Sequence, residues 1–105
     1  MLVVTRFHVP PTEAESFRDD LAAAHALLAA RPGYLHGDVG RNVDDPLLWT
    51  LTTRWESVGA YRRALSSYDV KLGAVPLLSR ALDEPSAYEI VEPGAELNRE
   101  QPRAT

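Results

Sequence analysis

The chain opens with an alternating, β-branched run, Leu2-Val3-Val4-Thr5-Arg6-Phe7-His8-Val9, which predicts a strand. Pro10-Pro11 ends it, because proline cannot donate to a ladder. Thr12 followed by Glu15 reads as a capping box. Behind it, Ala14, Phe17, Leu21, Ala24 and Leu28 recur at spacings of three and four and form one apolar stripe on a long helix. Pro32-Gly33 terminates that helix. A second strand is expected from Tyr34 to Val43, with imperfect alternation, and Asp44-Asp45-Pro46 supplies a turn. In the third strand, Leu47 to Trp55, one face carries Leu47, Trp49, Leu51, Thr53 and Trp55. The other carries Leu48, Thr50, Thr52 and Arg54.

Ser57 can cap a second helix bearing Val58, Tyr61, Ala64, Leu65 and Tyr68. Gly73 and Pro76 break the next helical segment into pieces, with a short helix expected over Leu77 to Leu82. Asp83-Glu84-Pro85 then leads into a last strand, Ser86 to Val91. The order β-α-β-β-α-(α)-β is the split βαβ arrangement of an α+β, ferredoxin-like fold, with helices on one face of a four-stranded antiparallel sheet. Residues 1–91 form the expected domain. Residues 92–105, rich in Pro, Gly and charge, form an expected flexible tail.

That arrangement leaves a problem of coverage. Leu2, Val4 and Leu48 fall on the opposite face from Val3, Phe7, Val9, Trp49 and Leu51, and two helices cannot cover both faces. A second copy packing sheet to sheet is the simplest cover, so a homodimer is expected.

Composition narrows the chemistry. The 105 residues suit one domain, and 45% hydrophobic content is that of a globular chain. A net charge of −4 without a Lys/Arg block argues against nucleic-acid or anionic-membrane partners. No apolar stretch approaches the ~20 residues of a membrane span, and the first nine residues lack a signal-peptide core, so a cytoplasmic location is expected. The absence of cysteine removes disulfides, thiolate metal sites and cysteine nucleophiles. The histidines show no metal-ligand spacing, so no metal is expected.

The stretch LWTLTTRWESVGAYRRA, which begins at Leu48, resembles the antibiotic biosynthesis monooxygenase family. The resemblance rests on a strand ending in Trp55-Glu56-Ser57 and a helix whose aromatic, Tyr61, lies six residues past the tryptophan. Arg31-Pro32-Gly33-Tyr34 is similar to the family's turn between first helix and second strand. The resemblance implies a dimeric α+β barrel. In one group of members, a small aromatic phenol or quinol is oxidised by molecular oxygen without a cofactor, because a deprotonated electron-rich phenol can itself give an electron to oxygen. Trp55 and Tyr61 match positions near the pocket of such enzymes. The asparagine these carry four residues before the tryptophan is replaced by Leu51. A second group binds and degrades haem. At the matching places stand Thr5, Ala64 and Ala74 or Val75, and no histidine lies beyond His36 to ligate iron, so haem degradation is not expected.

The candidate catalytic residues are thus Trp55 and Tyr61, with His8 or His36 to accept a proton near neutral pH. Arg6 and Arg54, mid-strand cations, are candidates to hold a phenolate or carboxylate, or else to pair with Asp38 or Glu89. Trp49 and Tyr68 are candidates to line a substrate pocket. His25 adjoins the apolar stripe of the long helix and is expected at its boundary. Asp44, Asp45, Asp83 and Glu84 are expected as solvated turn residues. The alternative to an enzyme is a protein of the same fold that binds a small hydrophobic ligand, or serves only in dimer assembly.

Overall fold

A computed structural model describes residues 1–97. The chain folds as strand β1 (Leu2–His8), helix α1 (Ala14–Ala29), strands β2 (Tyr34–Arg41) and β3 (Leu48–Trp55), and helices α2 (Val58–Ser66), α3 (Tyr68–Gly73) and α4 (Val75–Leu78). It closes with the short strand β4 (Ala87–Tyr88). All sheet pairings are antiparallel, in the order β2-β3-β1-β4, which is the ferredoxin-like order expected.

The helix-facing side of the sheet is the core. Val3 and Phe7 from β1, and Trp49, Leu51, Thr53 and Trp55 from β3, are buried against Phe17, Leu21, Ala24 and Leu28 of α1. Every second strand residue thus serves one layer, as the alternation requires. Two aromatic clusters anchor the ends of β3. Trp49 meets Phe17 edge to face at 5.5 Å, and Phe17 meets Phe7 at 5.1 Å. Trp55 sits between Tyr34 at 5.4 Å and Tyr61 at 5.5 Å.

Local chemistry shifts several expected boundaries. The capping box does not form. Pro11 starts a 3₁₀ turn over Pro11–Glu13, which takes Thr12 out of the extended conformation a cap needs, and α1 begins at Ala14. Strand β2 stops at Arg41 rather than Val43. The Asn42 side chain accepts hydrogen bonds from the N–H groups of Asp44 and Asp45, which folds the chain into the hairpin turn. The short helix with Pro76 in its first turn spans Val75–Leu78, not Leu77 to Leu82. By contrast, Ser57 caps α2 as expected, its hydroxyl accepting from Ala60 N–H at 3.1 Å.

The Pro32-Gly33 turn has a steric reason. Gly33 has φ +88°, and a Cβ placed there would overlap the Ala60 Cβ of α2. The first residue of α2's buried face and the start of β2 can approach only where no side chain intervenes.

The imperfect alternation of β2 has one cause. Tyr34 pairs with Trp55, but the next paired residue, His36, pairs with Arg54, so Leu35 is an extra residue in the ladder. The bulge leaves Tyr34 on the helix side and carries His36 to the opposite face.

The last strand is two residues long rather than the expected Ser86 to Val91. Residues 92–97 are exposed and carry no helix or strand, and the rest of the expected tail lies outside the described residues. No helix among the described residues is long and apolar enough to cross a membrane.

Candidate active site

A cavity of about 120 Å³ opens at the β1 edge of the sheet, beneath the chain that connects α4 to β4. Its walls include Thr5 and Arg6 of β1, Tyr61 of α2, Leu78 of α4, and Leu82 and Glu84 from the returning chain. Backbone hydrogen bonds explain why there is space. Val4 N–H donates to Ser86 C=O at 2.7 Å, and Leu82 N–H donates to Arg6 C=O at 2.9 Å. Between those two ties β1 has one residue, Thr5, whereas the returning chain has three, Asp83, Glu84 and Pro85. The surplus must arch away from the strand, and Pro85 has no N–H with which to close the gap.

Glu84 lies in that arch. Arg6 Nε donates to its Oε2 at 2.8 Å and Arg6 Nη2 to its Oε1 at 2.5 Å, a two-point fork across the mouth of the cavity. The partner of Arg6 is therefore Glu84, not Asp38 or Glu89, and Glu84 is an ion-pair member rather than a merely solvated turn residue. The hydrogen bond from Arg6, with its charge, holds the Glu84 carboxyl below the usual carboxylate range, and Glu84 raises Arg6 in turn. Nothing in the sequence pairs positions 6 and 84. Only the length of the arch brings them together.

Tyr61 forms the inner wall. Its phenol has no hydrogen-bond partner among the described residues, and burial pushes its ionisation up from the usual tyrosine value. Behind it Trp55 is fully buried, with its indole N–H donating to Thr53 Oγ1 at 2.9 Å. Trp55 thus supports Tyr61 from behind and does not itself line the cavity. On the far side of Trp55, Tyr34 Oη and His25 Nε2 are 2.7 Å apart. Burial raises the Tyr34 phenol, and the charge of Asp38 adds to the shift. A Cβ at Gly37 would lie 2.8 Å from Tyr34 Oη and 2.9 Å from His25 Nε2, so a glycine there leaves the pair its room. The hydrophobic stripe of α1 places His25 at its boundary but gives no sign of this partner.

The other candidate residues are placed elsewhere. His8, His36 and Arg54 are exposed, and strand pairing puts all three on the sheet face turned away from the helices. Trp49 is buried at the opposite end of β3 from Trp55, with the Arg41 guanidinium 5.5 Å from its ring, and with Val4, Arg6 and Thr52 it lines a second, larger hollow of about 340 Å³. Tyr68, at the start of α3, is 76% exposed. The structure therefore brings together Tyr61, Trp55 and Arg6, and adds Thr5 and Glu84. No group of histidines and carboxylates among the described residues is arranged to hold a metal ion.

The family model for antibiotic biosynthesis monooxygenases matches residues 1–74, which include β1, Trp55 and Tyr61. The chain belongs to that family. Among solved structures, SnoaB, a cofactor-independent oxygenase from Streptomyces nogalater, superposes with a TM-score of 0.72 at 23% identity, covering 90% of this chain and 96% of SnoaB. A mutant of SnoaB aligns at 27% identity over 77% of this chain and 82% of its own, with a TM-score of 0.66. A conserved protein from Methanosarcina mazei has a TM-score of 0.67 at 22% identity, over 82% of this chain and 84% of that one. No curated protein matches. Membership of the family supports a monooxygenase as the general class of activity for this chain.

Proposed function

We propose that this protein is a cofactor-independent monooxygenase that oxidises a small aromatic phenol or quinol with molecular oxygen. The observation that carries the reading is the unpartnered Tyr61 phenol on the wall of the edge cavity, within a family that includes a cofactor-independent oxygenase. An un-ionised phenol with a free donor can hydrogen-bond a substrate oxygen and stabilise the anion formed when that oxygen loses its proton. The electron-rich anion then passes one electron to oxygen. The resulting pair of radicals combines at a ring carbon, and loss of water from the peroxide leaves a carbonyl. For a single-ring phenol with a free para carbon the balance closes: one oxygen atom becomes the new quinone carbonyl, the other leaves as water, and the ring gives up the four electrons that oxygen accepts. Trp55 keeps Tyr61 in place, and the apolar wall of Leu78 and Leu82 limits water at the reacting carbon.

The working unit in this reading is a homodimer. Leu2, Val4 and Leu48 are only half-buried on the outer face of the sheet, and Tyr88 beside Leu2 is 47% exposed. A second copy of the same face would cover them.

The test is oxygen uptake with a single-ring phenol or hydroquinone against a protein-free control. Turnover above autoxidation, reduced at least tenfold in Tyr61→Phe, is expected. A rate equal to autoxidation would leave the second reading, a non-catalytic binder of the same fold. That reading draws on Leu51, an apolar side chain where the resemblance calls for an asparagine, and on the outward position of His8 and His36. Sedimentation showing a monomer at micromolar concentration would remove the dimer.

A further inference from the structure

The size and charge of the edge cavity point to a narrower ligand class than the fold does. Sites for drug-sized ligands occupy roughly 300–1,000 Å³, and an apolar cavity of about 150 Å³ takes up one benzene. At about 120 Å³ this cavity matches a single ring and is too small for fused ones. The wall is apolar on the helix side, at Leu78 and Leu82, and polar at the mouth, where Arg6 and Glu84 meet.

The ion pair at the mouth is open to water, with the Arg6 side chain 42% and that of Glu84 28% exposed. Ion pairs so exposed are held weakly, since water competes for both partners. The Arg6 fork presents two parallel donors, the geometry that fits any planar oxyanion. Glu84 occupies that fork from an arch tied to β1 only at Leu82 and Ser86. A ligand carboxylate or phenolate can therefore take the place of Glu84 without breaking the sheet.

We infer that the edge cavity binds a single-ring hydroxyaromatic anion, its ring between Tyr61 and Leu78 and its charged oxygen on Arg6, with Glu84 displaced outward. Glu84 acts as an internal competitor: it holds Arg6 in line while the site is empty and opposes every anionic ligand by the free energy of its own contact. This rests on the cavity assigned above to oxidation, yet binding without turnover tests it separately.

The experiment is anaerobic titration calorimetry with 2,5-dihydroxybenzoate, neutral hydroquinone and a three-ring anthrone carboxylate. The single-ring anion should bind at least tenfold more tightly than either of the others. Glu84→Gln should tighten the anion threefold to tenfold relative to neutral hydroquinone. Arg6→Met should abolish the preference for the anion over the neutral ring. Because Arg6→Met also removes an anchor of the arch, Arg6→Lys serves beside it: it keeps the charge but not the fork, and should keep only part of the preference. An anion that binds no better than the neutral ring, equal binding of the three-ring compound, or a Glu84→Gln variant with weaker anion binding would each overturn the inference. Failure of oxygen uptake with intact anion binding would remove the oxygenase and leave this site standing.

Discussion

The two tryptophans make the same kind of ring contacts but differ in one bond, and that difference predicts unequal costs of substitution. Trp55 donates its indole N–H to Thr53 Oγ1 at 2.9 Å, with both residues fully buried. The indole N–H of Trp49 is also buried but has no partner among the described residues. Replacing Trp55 by Phe removes a volume of roughly 40 Å³, which at about 24 cal/mol per Å³ costs about 1 kcal/mol. It also strands the Thr53 hydroxyl, for a further ~1–3 kcal/mol. The expected total is therefore about 2–4 kcal/mol. Trp49→Phe loses a similar volume but breaks no hydrogen bond and removes an unsatisfied donor, so its cost should not exceed about 1 kcal/mol. The assay is urea denaturation followed by circular dichroism, because each substitution removes one of the two fluorescent tryptophans and would change the optical signal itself. With an m-value of about 1.5 kcal/mol per molar, the Trp55 variant should lower the midpoint by roughly 1.3–2.7 M and the Trp49 variant by no more than about 0.7 M. Thr53→Val closes a double-mutant cycle, since removing both partners leaves nothing stranded. The double variant should be about 1–2 kcal/mol more stable than the summed single losses predict. Equal costs for the two tryptophans, or strict additivity in the cycle, would refute the role given to the Trp55–Thr53 bond.

Two other expectations concern the backbone and the mouth of the cavity. Gly33→Ala combines a left-handed φ with a clash against Ala60, so thermal melting should show a loss above ~1–2 kcal/mol, and shortening the opposing side chain by Ala60→Gly should restore part of it. Glu84 has its carboxyl lowered in the folded protein, so the stability it contributes is complete above its ordinary value of 4.5 and is lost as pH falls through the lower, folded value. The melting-temperature gap between the parent and Glu84→Gln should accordingly narrow between pH 5 and pH 3; a gap that widened on acidification would contradict the Arg6–Glu84 pairing.

How far the chain can be read depends on whether a feature is periodic or local in sequence. The stripe Phe17, Leu21, Ala24 and Leu28 is buried as its spacing implies, and so is the Trp49-Leu51-Thr53-Trp55 face, because burial alternates with a fixed period on a regular element. The helix start at Ala14 escapes the capping-box pattern because two prolines impose their own turn before a cap can form. The bulge at Leu35 escapes it too, because an extra residue in a ladder is decided by the partner strand, and it reverses the face of His36. The site is the least legible part. Tyr61 and Trp55 carry a local spacing that marks them, whereas Glu84 looks like one more acidic turn residue. Its role arises from a mismatch in the number of residues between two backbone ties seventy-six or more positions apart along the chain (Leu82 to Arg6, Ser86 to Val4).

That mismatch has a consequence for how such a protein can diverge. The aperture is set by Asp83, Glu84 and Pro85, three residues outside the hydrophobic core, whereas the ring-bearing wall belongs to α2 and is fixed by packing on Trp55. Loop insertions cost little in closure entropy. Adding or removing a residue in this stretch would therefore rescale the opening while leaving the sheet register intact. Ligand size in this fold is then a property that lineages can alter by changing loop length, with no core substitution required.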